Sequence, residues 1–224
     1  MRPISERQYE FSPRKGKDWN KLYALNDAIK GAMASWLHIL DKGRPRPIRE
    51  IRTGAADAIM FTDGSWPAPG DLPGTMPMVG GVVMNWWRSA PTGFSIVVPA
   101  NLIRTWLPRE NQIALVEIFA AVLIMAHFGH ELANKRVILL VDSECALDAL
   151  IKGQSKFSDV IKLVKIFWDL VADHQVDVYL DRVSTDANPS DGLSRGREEE
   201  AEGWGWVLEN PRFPDALEST RAGA

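Results

Sequence analysis

Cysteine is almost missing from this chain: Cys145 is the only one among 224 residues. An intrachain disulfide and a cysteine-built zinc cage are both excluded, and the usage fits a reducing compartment. Excess charge of one sign is missing as well. With 26 Lys and Arg against 29 Asp and Glu, the formal net charge is −3. Contact with nucleic acid must therefore come from a local basic patch. No apolar run reaches the roughly 20 residues that a membrane-spanning helix needs. Residues 113–126 come nearest and contain Glu117, which predicts a buried helix and no membrane partner. Residues 1–17 are polar and basic, without the apolar stretch of a secretory signal. The expectation is an intracellular protein, with nucleus and cytoplasm both open. What is present is ordinary: 46% hydrophobic and 25% charged residues, the proportions of a globular chain with a real core.

Patterning divides the chain. Over residues 17–41, Trp19, Leu22, Leu25, Ile29, Met33, Trp36 and Ile39 or Leu40 recur at spacings of three and four, which predicts an amphipathic helix. Two prolines, Pro45 and Pro47, then break it amid Lys42, Arg44, Arg46, Arg49 and Arg52. Residues 1–55 thus read as a helical appendage and basic linker, 56–200 as the main domain, and 201–224 as a tail. In the main domain, 58–62, 78–87 and 93–98 read as three strands of an antiparallel meander. A helix over 109–130 follows, then strand 136–141, helices 143–152 and 155–173, strand 176–183 and a last helix opening near Pro189. This order predicts an α/β fold with a mixed five-stranded sheet.

Three carboxylates sit where apolar residues are expected. Asp63 ends the first strand, Asp142 follows the buried strand 137–141, and Glu117 interrupts the most apolar helix. Burying an unpaired carboxylate costs several kcal/mol or drives its pKa up. Convergence on a divalent cation keeps such groups ionised, and hard oxygen ligands on separate rigid elements suit Mg²⁺. Each residue also has a plainer reading. Asp142 can cap the following helix, Asp63-Gly-Ser can be a turn, and Glu117 can be a satisfied buried acid.

A fourth motif, Asn188-Pro-Ser-Asp191-Gly-Leu-Ser-Arg195, follows the last strand. Together with Phe61-Thr-Asp63-Gly-Ser, Gly80-Gly-Val-Val, Glu117 and Val141-Asp142-Ser, it resembles type 1 ribonuclease H domains over residues 56–197. The last segment is most similar to those of reverse-transcribing elements, in particular the hepadnavirus polymerases. The resemblance implies a ribonuclease H-like fold with helices on both faces of the sheet. It also implies that Asp63, Glu117, Asp142 and Asp191 are catalytic and bind metal. Two Mg²⁺ ions, replaceable by Mn²⁺, would serve hydrolysis of the RNA strand of RNA–DNA hybrids. A reverse-transcriptase polymerase domain is the implied protein partner, since the chain has no polymerase signature of its own.

Two family features are absent. Residues 182–190 hold no histidine, and no basic handle separates the helices at 143–152 and 155–173. Lys152, Lys156, Arg182, Arg195 and Arg197 are candidate nucleic-acid contacts, with surface solvation as the plainer role of each; the cluster at 42–52 is the better basic patch. Asp186 reads as a turn residue and Cys145 as a buried packing residue. His127 and His130 read as structural, and Trp86-Trp87 as packing or strand-edge cover. A non-catalytic module of the same fold is the main alternative. A 3′–5′ exonuclease would carry Asp-x-Glu at the first motif, and an actin-like ATPase would need a second Gly-rich phosphate loop. Neither is present.

Overall fold

The computed structural model describes residues 27–42, 55–68, 71, 74–110 and 112–217. Helix α1 (Asp27–Lys42) precedes strands β1 (Ala58–Ser65), β2 (Met78–Asn85) and β3 (Thr92–Val97). Helices α2 (Ala100–Ile103) and α3 (Ile113–Phe128) lead to β4 (Arg136–Val141), then α4 (Glu144–Lys152), α5 (Ser158–Asp173) and β5 (Asp177–Arg182). Two short helices, α6 (Asp191–Ser194) and α7 (Glu198–Gly203), and strand β6 (Val207–Leu208) follow. One sheet in the order β5-β4-β1-β2-β3-β6 contains all six strands. Pairing is antiparallel for β1–β2 and β2–β3, and parallel for β1–β4, β4–β5 and β3–β6.

Strand alternation assigns the two faces. A Cβ on Gly81 would lie 3.2 Å from Ile124 of α3, whereas one on Gly80 would lie 2.6 Å from Leu193 of α6. The two helices therefore cover opposite sides of the sheet. On the α3 side, Ala58, Met60, Val79, Val83, Val137, Leu139 and Val141 form the main core. Helix α3 is apolar all round because it is enclosed all round, by β1, β2, α4 and α5. On the α6 side a smaller cluster joins Val82, Leu193 and Ala201, with Phe61 packed against it.

Several expectations are corrected. The sheet has six strands, not five: Val207–Leu208 adds an edge strand parallel to β3. Two residues are too short to display a period. Residues 209–217, after β6, are also built in, with Phe213 and Leu217 in the main core. Arg88 binds Glu209 at 2.9 Å and also pairs with Glu131, while His127 Nε2 lies 3.0 Å from Glu209, so this segment is tied to the turn after β2 and to α3. Trp87 donates to Glu131 at 2.6 Å, and Trp86 is exposed. The expected last helix is split in two at Gly196, whose φ is +70°, and the helix at 109–130 contracts to Ile113–Phe128. Cys145 is exposed, not buried, because it lies on the outer face of α4 beside the N-cap. Of the stripe expected at 17–41, Ile29 is buried, while Met33, Trp36 and Leu40 are exposed. Trp19, Leu22 and Leu25 lie outside the described residues, as do Arg44, Arg46, Arg49 and Arg52 of the basic cluster. No helix among the described residues is long and apolar enough to cross a membrane.

Candidate active site

Parallel register between β1 and β4 ends with Thr62 opposite Val141. One step further, Asp63 stands beside Asp142 at the point where β4 stops and β1 continues. Asp63 is therefore inside a strand, paired with Gly80, and is neither a strand end nor a turn. The N-cap of α4 is Ser143, whose hydroxyl accepts from the Ala146 N–H at 3.3 Å. Asp142 is thus released from the capping role that its sequence position offered.

Glu117 arrives from the opposite face. Gly64 permits this: a Cβ there would lie 2.8 Å from Val116 and 3.1 Å from the Glu117 nitrogen. The Gly64 N–H donates to the Glu117 carboxylate. Carboxylate oxygens of Asp63, Glu117 and Asp142 lie within 4.8 Å of one another. Asp63 and Glu117 are each only 3% exposed.

This crowding has a clear electrostatic signature. Burial, followed by the charges of Asp142 and Asp63, pushes Glu117 up to about 10. Burial also raises Asp63 to about 7; the Ser194 hydroxyl opposes that rise, while Asp142 and Asp191 add to it. One oxygen of Glu117 and one of Asp142 are buried without any hydrogen-bond partner. A buried acceptor without a donor is costly, and a cation supplies what is missing. Three hard oxygen donors from separate elements, two with a free lone-pair direction, fit Mg²⁺ or Mn²⁺.

The segment after β5 closes the site from the α6 side. Asn188 is buried; its amide donates to the Thr62 carbonyl at 3.0 Å, and its oxygen accepts from the Ser190 hydroxyl at 2.7 Å. Three hydroxyls clamp α6 to the sheet. Ser65 donates to the Ser194 carbonyl at 2.6 Å, Ser95 to the Leu193 carbonyl at 2.8 Å, and Ser194 to the Asp63 carboxylate. Thr185 donates to Asp142 at 3.1 Å. These polar residues, apart from those inside the quoted motifs, carry no sequence signal, because a serine or threonine in a strand or loop is commonplace.

Asp191 is placed differently from the other three. Its two oxygens accept from Arg195 Nε at 2.9 Å and Arg197 Nη2 at 2.8 Å. It is near enough to raise Asp63 but lies outside the three-carboxylate cluster. The other candidate cations also have partners. Lys152 pairs with Asp148 at 2.5 Å, and Arg182 pairs with Glu144 at 2.5 Å while approaching the Asp142 carbonyl at 3.4 Å. Lys156 lies 4.9 Å from the Phe157 ring. His127, bonded to Glu209, is not at the acidic cluster.

No protein-family model matches the chain, and no curated protein does. Solved structures similar to it include the N-terminal ribonuclease H domain of a Mycobacterium tuberculosis protein, fused to maltose-binding protein. That match has 15% identity, a TM-score of 0.46, and covers 67% of this chain and 99% of the other. Ribonuclease H1 of the archaeon Halobacterium salinarum matches at 16% identity and a TM-score of 0.47, over 64% and 98% of the two chains. Ribonuclease H1 LC11, isolated from compost by a metagenomic approach, matches at 17% and 0.45, over 66% and 99%. The α/β architecture expected from the sequence, a mixed sheet with helices on both faces, stands on this chain's own strand order, with six strands in place of five.

Proposed function

We propose that this chain is a metal-dependent endonuclease of the ribonuclease H type, acting on the RNA strand of RNA–DNA hybrids. The observation that carries the reading is the convergence of Asp63, Glu117 and Asp142, with two of their oxygens buried and unpartnered. Asp63 would hold divalent cations from within β1, Asp142 from the residue after β4, and Glu117 from the opposite face. Asp191 is the fourth proposed ligand. Bound cations supply charge neutralisation and a lowered water pKa for phosphodiester hydrolysis by the two-ion scheme. The protein's own part is positional: Ser194 and Thr185 orient the two aspartates, and Gly64 admits the glutamate. The Asn188–Arg195 tract supports an origin in a reverse-transcribing element. By that reading a polymerase domain is the natural partner.

Incubation with a hybrid labelled on each strand in turn, beside duplex RNA and duplex DNA, tests this directly. The expected result is cutting of the hybrid's RNA strand alone with Mg²⁺ or Mn²⁺, and none with EDTA. Cutting that persists in EDTA, or that spares the hybrid, would contradict the reading. A folded protein that binds hybrid but never cuts would favour the non-catalytic module.

A further inference from the structure

Beside Asp191 lies an open cleft of about 430 Å³, with Thr185, Asn188, Arg195, Arg197 and Trp204 on its walls. The guanidinium-bearing side chains of Arg195 and Arg197 are 55% and 44% exposed, and Trp204 is 62% exposed. Both arginines spend their charge on one carboxylate, that of Asp191. Arg197 also reaches Glu200 at 3.3 Å, and Asp186 lies on the same wall. While Asp191 is held this way, both of its oxygens are occupied, and Arg195 Nε and Arg197 Nη2 are turned to it and away from any phosphate in the cleft.

Resting on the nuclease reading, we propose that this cleft receives the sugar-phosphate backbone of a nucleic-acid strand and that the two arginines act as a latch. An incoming phosphodiester takes Arg195 and Arg197 from Asp191, and the released carboxylate turns to the acidic cluster. Planar guanidinium forks exchange readily between carboxylate and phosphate, because both present two oxygens in similar geometry. Trp204 offers a ring face for a base at the mouth of the cleft. The exchange couples the two ligands: metal drawing on Asp191 frees the arginines for nucleic acid, and nucleic acid frees Asp191 for metal. Such coupling is reciprocal. The C-terminal side of the site then supplies the grip that the short connection between α4 and α5 lacks.

The experiment measures affinity for a hybrid whose RNA strand is 2′-O-methylated, hence uncut, by fluorescence anisotropy with Mg²⁺ and with EDTA. Wild type is expected to bind about 10-fold more tightly with Mg²⁺. Arg195→Ala/Arg197→Ala should lose that gain, and the slope of log affinity against log salt should fall by about 1.8, the share of two phosphate contacts. Asp191→Asn gives the opposite sign. With the competing charge gone, it should bind the hybrid in EDTA about 10-fold more tightly than wild type does. Arg195→Lys/Arg197→Lys, which keeps charge and bulk, should fall between wild type and the alanine variant, and thermal melts establish that each protein is folded. Equal affinity of wild type and the alanine variant, or no gain for Asp191→Asn in EDTA, overturns the latch. Failure of wild type to cut an ordinary hybrid would instead remove the nuclease reading, and the affinities would still report on the cleft.

Discussion

Asp63 is buried beside two other carboxylates, and its one strong donor is the Ser194 hydroxyl. A hydrogen bond to the charged form favours ionisation, so this hydroxyl works against burial. Ser194 is itself fully buried, and its hydroxyl also lies 2.9 Å from the Asp191 carbonyl. Replacing it with alanine leaves the carboxylate without its donor and raises the Asp63 pKa further. Ser194→Ala should therefore bind Mn²⁺ more weakly than wild type near neutral pH, with the deficit closing as pH rises well above 7. Calorimetric titration at several pH values measures this. A deficit that stays constant with pH would mean the serine acts on the fold instead of on the charge of Asp63.

Elements bring these residues together only because α6 lies directly on the sheet. Gly80 makes that approach possible: an added Cβ would stand 2.6 Å from both the Leu193 Cβ and the Ser194 nitrogen. Gly80→Ala should cost roughly 1–3 kcal/mol of stability by forcing the helix outward, and should lower hybrid cleavage more than thermal stability alone explains. Denaturant unfolding and initial rates on the same sample check both parts. The Gly-Gly pair was visible in the sequence, yet its two meanings were not. Gly80 makes room for α6 and Gly81 for Phe94 and Ile124, on opposite faces. Other elements were legible from their apolar patterning, β4 as an unbroken apolar run and β5 as an alternation of apolar and polar residues. The split at Gly196 and the two-residue β6 were not, since neither contains a full period. Asp142 was legible as a candidate site residue through its place after a buried strand. That Ser143, not Asp142, caps α4 needed coordinates. The arginine pair on Asp191 is a tertiary arrangement; Ser194-Arg195 showed only as part of a family tract.

The whole molecule carries a concentration of buried acid that shapes its response to pH. In the folded, metal-free state Asp63 and Glu117 are raised to about 7 and about 10, against ordinary values of 3.8 and 4.5. Between those limits these two groups hold more protons in the folded chain than in the unfolded chain, so their contribution to stability falls as pH rises. Burial lowers His127 and His174, which act in the opposite direction below about pH 6.5. The protons' contribution is complete below about pH 4, and for Asp63 it is exhausted once pH passes about 7. Melting in EDTA should therefore occur at progressively lower temperature from about pH 5 to about pH 8, over and above any change from other groups. Asp63→Asn should flatten that decline. Mg²⁺ should raise the melting temperature more at the upper end than at the lower, because ionised carboxylates bind the cation. A pH dependence of melting in EDTA that Asp63→Asn leaves unchanged would contradict the assigned proton load.

Whether the acidic cluster is the seat of hybrid cleavage is decided by Asp142→Asn. The substitution preserves shape and removes one charge at a position free of any capping duty. Metal charge stabilisation in phosphodiester hydrolysis is worth several kcal/mol, and each ~1.4 kcal/mol is tenfold in rate. Initial rates of RNA-strand cleavage in Mg²⁺ should fall by about 10³-fold or more, with the variant's melting temperature at or above that of wild type in EDTA. A folded Asp142→Asn protein that still cuts the hybrid at the wild-type rate would place the chemistry elsewhere.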